Sequence, residues 1–319
     1  MRNNNGSSSP ARKPRSLGMK AVDLFAGLGG FTEGAEAAGI KVVWAANHWA
    51  EAVRCHQENH PEVEHACQDL QQADWTAVPS HDVLMASPCC QGHSKARGKD
   101  RPHHDASRAT AWAVVSCAEA HQPPLIVIEN VVDYKDWQLY PAWCQAMSTL
   151  GYTLSPHVLD AADYGVPQNR KRLIIIGTRS RHPLILRPRD GAQPAIAPFI
   201  QWDRGTWRKI DKSLSARTLQ RIANGRRRYG DRFLAPYYSS GSGLTGRSVD
   251  RPVGTITTKD RWAIIDGDRT RLFNVEECRA AMGFRSSYCL PKAPALAKHL
   301  LGNAVPPPLV TEVLLEIAA

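Results

Sequence analysis

The chain has 319 residues, of which 43% are hydrophobic, and it carries a formal net charge of +10 at pH 7. This length accommodates one large core and a smaller lobe, and no apolar run reaches the roughly 18 residues of a membrane-spanning helix. The basic balance favours a polyanionic partner, although a solvated basic surface would give the same composition.

Residues 1–18 are polar and basic, without the apolar stretch of a signal peptide, so we predict a disordered arm. The 8 cysteines form no Cys-x-x-Cys pair and match no zinc-binding spacing, so no metal site is expected. This cysteine usage favours a reducing, cytoplasmic location.

The first strand–helix unit contains a glycine-rich turn. Residues 20–25 are predicted to form a strand, 26–30 the turn and 31–38 a helix. Glycines let the backbone approach a ligand closely, and a helix N-terminus favours an anionic group. A nicotinamide fingerprint would require glycine at position 32, where the chain has Thr32. The turn therefore favours a nucleoside cofactor that presents a carboxylate, such as S-adenosylmethionine, although an ordinary strand–helix turn fits the same residues.

A second strand over residues 41–46 and a helix over 49–59 follow. Asn47, at the end of the second strand, is placed to bind ribose hydroxyls. Asp69, after a third short strand, is placed to accept a hydrogen bond from an adenine amino group. Helix N-capping is the alternative role for both side chains.

A cysteine and a glutamate follow two further apolar strands. Residues 82–86 lead into Pro88 and the Cys89–Cys90 pair, and residues 125–128 lead into Glu129. Neighbouring parallel strands would bring a thiol and a carboxyl to one sheet edge, where open α/β sheets bind ligands. A thiolate beside a proton-sharing carboxyl suits addition to an electron-poor ring, whereas a buried structural cysteine is the plainer alternative.

Six blocks in this order resemble motifs of the bacterial and phage DNA (cytosine-5)-methyltransferase family. They are Asp23–Gly30, Pro88–Ser94, Glu129–Val131, Gln168–Arg172, Arg271–Phe284 and Gly302–Pro307. Because the blocks span residues 20 to 310 in the family's order, the resemblance covers nearly the whole chain. It implies an α/β fold in which a Rossmann-like, S-adenosylmethionine-dependent methyltransferase sheet is joined to a smaller target-recognition lobe.

The resemblance also implies roles for individual residues. The catalytic residues are Cys90, Glu129, Arg170 and Arg172. The cofactor-binding residues are Asp23, Phe25, Gly27, Gly29, Gly30, Asn47, Asp69, Pro88 and Asn303. The DNA-binding residues are Gln91, Ser94, Lys95, Arg97 and Gln168.

In this assignment Cys90 adds to carbon 6 of cytosine, and Glu129 donates a proton to ring nitrogen 3. A glutamate that donates must be protonated, so we predict a raised pKa for Glu129 in a dry pocket. Arg172 is expected to face the cytosine carbonyl oxygen and Glu129, and Arg170 to support the same pocket. The basic segment after Ser94 is expected to close over a flipped base, although a plain surface loop has the same composition.

The chain departs from the family pattern at several positions. Cys89 stands where the family has a second proline, which leaves Cys90 as the nucleophile. Asn47 stands where the family has a ribose-binding glutamate. Asn274 and Ala280 replace the usual threonine and arginine, a change expected to affect packing more than chemistry.

The domain organisation follows from composition and from the blocks. We predict a disordered arm over 1–18, the first part of the catalytic domain over 19–178, a target-recognition domain over 179–262 and the rest of the catalytic domain over 263–319. The target-recognition segment is rich in arginine, including Arg217, Arg221 and Arg226 to Arg228. The terminal helix is expected to pack beside the Gly27 turn.

The expected function is methyl transfer from S-adenosylmethionine to carbon 5 of cytosine in a short sequence of double-stranded DNA. The expected enzyme is a monomer that acts alone or beside a separate cognate restriction endonuclease. Three alternatives remain: the same chemistry on tRNA, a catalytically silent DNA-binding scaffold, and thiol redox or metal binding through Cys89 and Cys90.

Overall fold

The computed structural model describes residues 16–89, 110–189, 191–237 and 245–319. The larger lobe is a seven-stranded mixed sheet with the order β3-β2-β1-β4-β5-β7-β6. Its strands are β1 (Lys20–Leu24), β2 (Lys41–Asn47), β3 (Glu64–Cys67), β4 (Val83–Ala86), β5 (Leu125–Asn130), β6 (Thr153–Asp160) and β7 (Lys171–Thr178). The strand order reverses between β1 and β4, and such a switch point opens a ligand crevice at the carboxyl ends of the strands.

Strands β1 to β5 run parallel, and β7 runs antiparallel to both β5 and β6. The central strands β4 and β5 are buried along their whole length. Their near-continuous apolar sequence is that of parallel strands covered on both faces. The α/β fold expected from the strand–helix alternation is confirmed.

Helices cover both faces of this sheet. They are α1 (Gly30–Ala37), α2 (Ala50–Asn59), α3 (Ala111–His121) and α4 (Tyr140–Thr149). One core joins Phe31 and Ala35 of α1 to Val83 and Val127 of the sheet. On the opposite face Trp143 of α4 packs with residues of α3 and with the sheet. Burial on both faces supplies the main favourable free energy of this lobe.

The smaller lobe contains an antiparallel sheet with the order β10-β9-β11-β12-β8. Its elements are β8 (Arg208–Lys209), α5 (Ala216–Tyr229), β9 (Arg232–Pro236), β10 (Arg247–Ser248), β11 (Trp262–Asp266) and β12 (Arg269–Leu272). Strands β11 and β12 pair with β9 and β8, so the small sheet runs past the boundary placed at residue 262 from sequence. Apolar residues of β11 complete the core of this sheet, a long-range pairing that local composition does not reveal.

A buried ion pair joins the small sheet to the C-terminal segment. Arg271 of β12 contacts Glu277 of helix α6 (Val275–Ala281), with 2.7 Å between Nη2 and Oε1. The backbone N–H of Gln201 also donates to Glu277 at 2.8 Å. Asn274 forms a capping box with Glu277, so the departure from the family pattern at this position begins a helix.

The C-terminal segment ends in α7 (Pro294–Asn303) and α8 (Pro307–Ile317). Val310 and Val313 of α8 pack into the core that contains Phe31 of α1, which agrees with the expected place of the terminal helix. Among the described residues, none of the helices has both the length and the apolar character needed to cross a bilayer.

We predict that Gly34→Ala destabilises the protein. A Cβ at Gly34 would lie 2.5 Å from the Val310 Cβ and 2.7 Å from the Pro307 carbonyl oxygen, so α8 would have to move away from α1. Overpacking of a core costs ~1–3 kcal/mol, and the better helix propensity of alanine returns only ~1 kcal/mol. We expect the free energy of unfolding to fall by ~1–2 kcal/mol in urea denaturation. Gly191→Ala is the control, because its Cβ would meet no atom within 4 Å; equal stability of the two variants would contradict the close α1–α8 contact.

Candidate active site

The carboxyl ends of β4 and β5 meet at one edge of the sheet, as the sequence predicted. Ala86 pairs with Ile128 in parallel register, which places Pro88 beside Glu129 and Asn130. The Asn130 side-chain amide donates to the Pro88 carbonyl at 3.1 Å, and its oxygen accepts from the Val131 N–H at 2.8 Å. Asn130 therefore fastens the two strand ends together. The sequence analysis assigned it no role, although it stands between Glu129 and Val131 in a recognised block.

The predicted nucleophile follows this edge directly. Cys90, Gln91, Ser94, Lys95 and Arg97 lie outside the described residues. Cys89 is half-buried, and its backbone N–H donates to the Thr110 hydroxyl at 3.0 Å. This bond joins the residues on either side of segment 90–109, so both chain ends of that segment start from the edge that carries Glu129.

Glu129 is 7% exposed and pairs with Arg172 of β7. The Arg172 Nε lies 2.8 Å from the Glu129 Oε1. Burial raises the pKa of Glu129, while the charges of Arg172 and Arg170 and the hydrogen bond from Arg172 oppose the rise. The predicted direction of the pKa shift and the predicted Glu129–Arg172 contact are both confirmed.

Arg170 lies in the interior and bonds backbone carbonyls of the C-terminal segments. Its side chain is 1% exposed, and Nη1 donates to the Ile256 carbonyl at 2.8 Å. Nη2 donates to the carbonyls of Gly302 at 2.8 Å and Ala304 at 3.0 Å. A guanidinium that is buried and bound to three backbone carbonyls supports the pocket, as expected, and is directed away from its surface. Arg170 is therefore a positioning residue, and its assignment as a catalytic residue is corrected.

Gln168 was assigned to DNA binding, and the structure places it elsewhere. Its side chain is fully buried, donates to the Ala281 carbonyl at 2.9 Å and accepts from the Ile256 N–H at 2.8 Å. Both partners lie in one hydrophobic core with Leu234 and Ile264 of the small sheet. Because every polar atom of the amide is directed inward, Gln168 joins parts of the protein and does not face DNA.

The glycine-rich turn adopts a backbone that few side chains allow. Phe25, Gly27 and Gly29 have positive φ values of 60°, 54° and 92°, a conformation that a residue other than glycine adopts at a cost. A Cβ at Gly30 would lie 2.0 Å from the Val305 carbonyl oxygen. The turn therefore lies directly against the residues that follow Asn303, which is exposed at the end of α7.

Asn47 and Asp69 lie at the ends of β2 and β3, on the same side as the turn. The Asn47 Oδ1 accepts from the Trp49 N–H at 2.9 Å, and the Asp69 Oδ1 accepts from the Gln71 N–H at 3.0 Å. Asp69 thus has the capping role that was the alternative prediction, at the start of a short 3-10 helix over Leu70–Gln72. Asn47 does not cap α2, whose N-cap is Trp49, and its bond to the Trp49 N–H closes a local turn. Each has a second polar atom at the sheet edge, an amide nitrogen and a carboxylate oxygen, of the types that bind a ribose hydroxyl and an adenine amino group.

Asp23 was assigned to cofactor binding, and this assignment is also corrected. The side chain is fully buried beneath the turn, where its Oδ2 accepts from the Thr32 hydroxyl at 2.9 Å. Burial raises the pKa of Asp23 to about 7, although hydrogen bonds from the Thr32 hydroxyl and backbone N–H lower it. The Asp23 carboxyl therefore fixes the first turn of α1 through its hydrogen bonds with Thr32.

The chain is similar to known proteins over nearly its whole length. The family model of the C-5 cytosine-specific DNA methylases matches residues 19–319. The chain is 26% identical to type II methyltransferase M.MspI of Moraxella sp over 95% of its own length and 71% of that protein. It is 25% identical to type II methyltransferase M.HhaI of Haemophilus parahaemolyticus over 90% of each.

A similar fold occurs in a Spodoptera frugiperda DNMT2 mutant, with a TM-score of 0.68, 17% identity and coverage of 94% of this chain and 99% of that one. The Entamoeba histolytica methyltransferase EhMeth has a TM-score of 0.66, 14% identity and coverage of 94% and 97%. At these identities the likeness shows the fold alone. The family match over nearly the whole chain shows that the protein belongs to the C-5 cytosine-specific DNA methylases and is a DNA (cytosine-5-)-methyltransferase.

Proposed function

We propose that this methyltransferase acts on cytosine within a short, specific sequence of double-stranded DNA through a covalent adduct of Cys90. The observation that carries the proposal is the buried Glu129–Arg172 pair, at 2.8 Å, on the sheet edge that leads into Cys90. A protonatable carboxyl and a fixed guanidinium there match the polar groups of a cytosine ring. A merely structural cysteine would not need this pair beside it.

The family and the fold imply S-adenosylmethionine, which supplies the methyl group as a sulfonium. The residues present fit this cofactor, because the positive φ values of Phe25, Gly27 and Gly29 give a tight turn into the N-terminus of α1, and a helix N-terminus favours a carboxylate. Asn47 would bind the ribose, and Asp69 the adenine amino group. The half-exposed and exposed positions of these two side chains support this arrangement. Pro88 and Asn303 would border the same crevice.

In the reaction, a bond forms between the Cys90 sulfur and carbon 6 of cytosine. The proton that Glu129 shares with ring nitrogen 3 stabilises the charge that appears, and carbon 5 becomes electron-rich enough to take the methyl group. Arg172 would hold the cytosine carbonyl oxygen and Glu129 in place. Solvent water takes the carbon 5 proton, and departure of the Cys90 thiolate restores the aromatic ring.

A cytosine within a duplex does not offer carbon 6 to a thiol, so the base must be turned out of the helix. Gln91, Ser94, Lys95 and Arg97 would contact DNA around the flipped base. The arginine-rich helix α5 in the smaller lobe supports a polyanionic substrate. We further propose a monomeric enzyme, alone or beside a separate cognate endonuclease.

We predict that Cys90→Ser abolishes methylation while Cys89→Ala retains most of it. The serine hydroxyl is a far weaker nucleophile than a thiolate, whereas Cys89 uses its backbone N–H and not its thiol in the contact with Thr110. Both variants and the wild type would be expressed in a methylation-free bacterium, and its DNA sequenced after bisulfite conversion. Protected cytosines in one short context would give the recognition sequence. Complete conversion of all cytosines, with soluble wild-type protein, would favour a tRNA substrate or a catalytically silent scaffold. Greater methylation by Cys90→Ser than by Cys89→Ala would contradict the choice of nucleophile.

We also predict that duplex DNA with 5-fluorocytosine at the target base traps the enzyme. Fluorine replaces the proton that leaves carbon 5, so the adduct cannot release the thiolate. Mass spectrometry should locate the nucleotide on Cys90, with Cys90→Ser as the control. Turnover of ordinary DNA without any adduct would contradict thiol addition.

The Glu129–Arg172 pair predicts a pH dependence. Turnover requires protonated Glu129, so the single-turnover rate should fall as the pH rises through the raised pKa of this group. Arg172→Ala removes a charge that lowers the pKa of Glu129, so the falling limb should move to higher pH. Glu129→Gln, which has no proton to lose, should abolish this limb and slow turnover by ~100-fold. A limb that stays unchanged in both variants would contradict the role of Glu129.

A further inference from the structure

Four side chains form a continuous hydrogen-bond chain beneath the cofactor turn. The Thr32 hydroxyl of α1 lies 2.9 Å from the Asp23 Oδ2 of β1. The His56 Nε2 of α2 lies 3.0 Å from the same hydroxyl. The His56 Nδ1 lies 2.7 Å from the His65 Nε2 of β3. Asp23, Thr32 and His56 are buried, whereas His65 is partly exposed, so the chain leads from the interior towards solvent.

The chain has two self-consistent proton arrangements, because a hydroxyl carries one proton and a neutral imidazole has one donor and one acceptor. With ionised Asp23, Thr32 donates to the carboxylate, His56 donates from Nε2 to Thr32, and His65 donates to His56. With protonated Asp23, every bond reverses and His56 carries its proton on Nδ1. The protonation of Asp23 therefore fixes the tautomer of His56.

The ring of His56 also supports the turn directly. A Cβ at Gly29 would lie 2.9 Å from the His56 Cδ2 and 2.7 Å from the Tyr288 hydroxyl. Asp23 accepts from the backbone N–H of Thr32 in the first turn of α1 as well as from its hydroxyl. The hydrogen-bond chain thus contacts Gly29 through His56, and it contacts the first turn of α1 through Asp23. Only glycine at position 29 allows this approach.

Other titratable groups surround His56. His60 of the same helix has its ring centroid 4.8 Å from that of His56, and its Nδ1 lies 2.9 Å from the Glu36 Oε2. Its Nε2 lies 3.8 Å from Glu33, which also pairs with Arg285, and 3.2 Å from the Tyr288 hydroxyl. Burial first, and then the nearby His60 and His65, lower the pKa of His56 well below 6.5, so His56 stays neutral.

We propose that Thr32 and His56 are positioning residues that set the affinity of the turn for S-adenosylmethionine through their hydrogen-bond chain to Asp23. The proposal rests on the proposed function of the turn. In this proposal neither Thr32 nor His56 contacts the cofactor. They fix the backbone of Gly29 and of the first turn of α1, against which the cofactor carboxylate would bind.

The tautomer of His56 provides a test that needs no cofactor. Because the pKa of Asp23 is about 7, His56 should carry its proton on Nδ1 at pH 6 and on Nε2 at pH 8. Long-range proton–nitrogen NMR spectra of the imidazole ring distinguish the two forms. Thr32→Val should abolish the change and Thr32→Ser should keep it. One tautomer at both pH values in the wild type would overturn the hydrogen-bond chain.

Calorimetric titration with S-adenosylmethionine tests the consequence. We expect Thr32→Val to weaken binding about 10-fold, with kcat at saturating cofactor within about twofold, and Thr32→Ser to restore the affinity. A folded Thr32→Val that binds like the wild type would overturn the proposal alone. A wild type that does not bind S-adenosylmethionine would instead overturn the proposed cofactor site, whatever the NMR result.

If Thr32→Val does not fold, His65→Ala tests the same chain from its partly exposed end. Loss of the His65 partner should shift the pH at which His56 changes tautomer and weaken cofactor binding about threefold. An unchanged tautomer profile together with unchanged affinity would overturn the proposal.

Discussion

The structure depends on one buried cation, the guanidinium of Arg170. A charge without water is costly unless several hydrogen bonds compensate it, and Arg170 obtains them from the carbonyls of Ile256, Gly302 and Ala304. The Ile256 carbonyl lies where the polypeptide returns from the smaller lobe. The carbonyls of Gly302 and Ala304 lie on either side of Asn303. The segment that carries Asn303 in turn lies against Gly30. The geometry of the glycine-rich turn therefore depends on an arginine distant from it in sequence, and a shorter or uncharged side chain at position 170 would release both contacts.

Two buried carboxyl groups of the larger lobe, those of Glu129 and Asp23, show how different surroundings separate similar groups. Glu129 and Asp23 both have a raised pKa because of burial. Glu129 has Arg172 at 2.8 Å as a counter-charge, whereas Asp23 has hydrogen-bond donors from the neutral Thr32. An arginine beside a carboxyl provides both orientation and charge for a reaction. Neutral donors provide orientation alone, which suits a residue that holds the backbone.

The parts of the site that depend on local pattern could be predicted from sequence. The turn before α1, the shared edge of Cys89 and Glu129 and the raised pKa of Glu129 follow from strand order and burial. The inward direction of Gln168 depends on Ile256 and Ala281, which lie far along the chain, and no local pattern shows it. The same is true of the Thr32–His56 contact, because helix α2 must first pack against α1. The pairing of β11 with β9 and of β12 with β8 could not be predicted either, because it also joins distant segments.

The contact of α8 with α1 has a consequence for biosynthesis. Val310 packs against Gly34, and Val305 packs against Gly30, so the turn and α1 are supported by residues made long after them. Contacts between such distant segments form late in folding, because the entropy of closing the intervening chain must be overcome first. A nascent chain that has exposed only β1 to β5 therefore lacks the contacts that Val305 and Val310 make with Gly30 and Gly34. The turn would therefore reach its final geometry only once α8 has been made and has packed against α1.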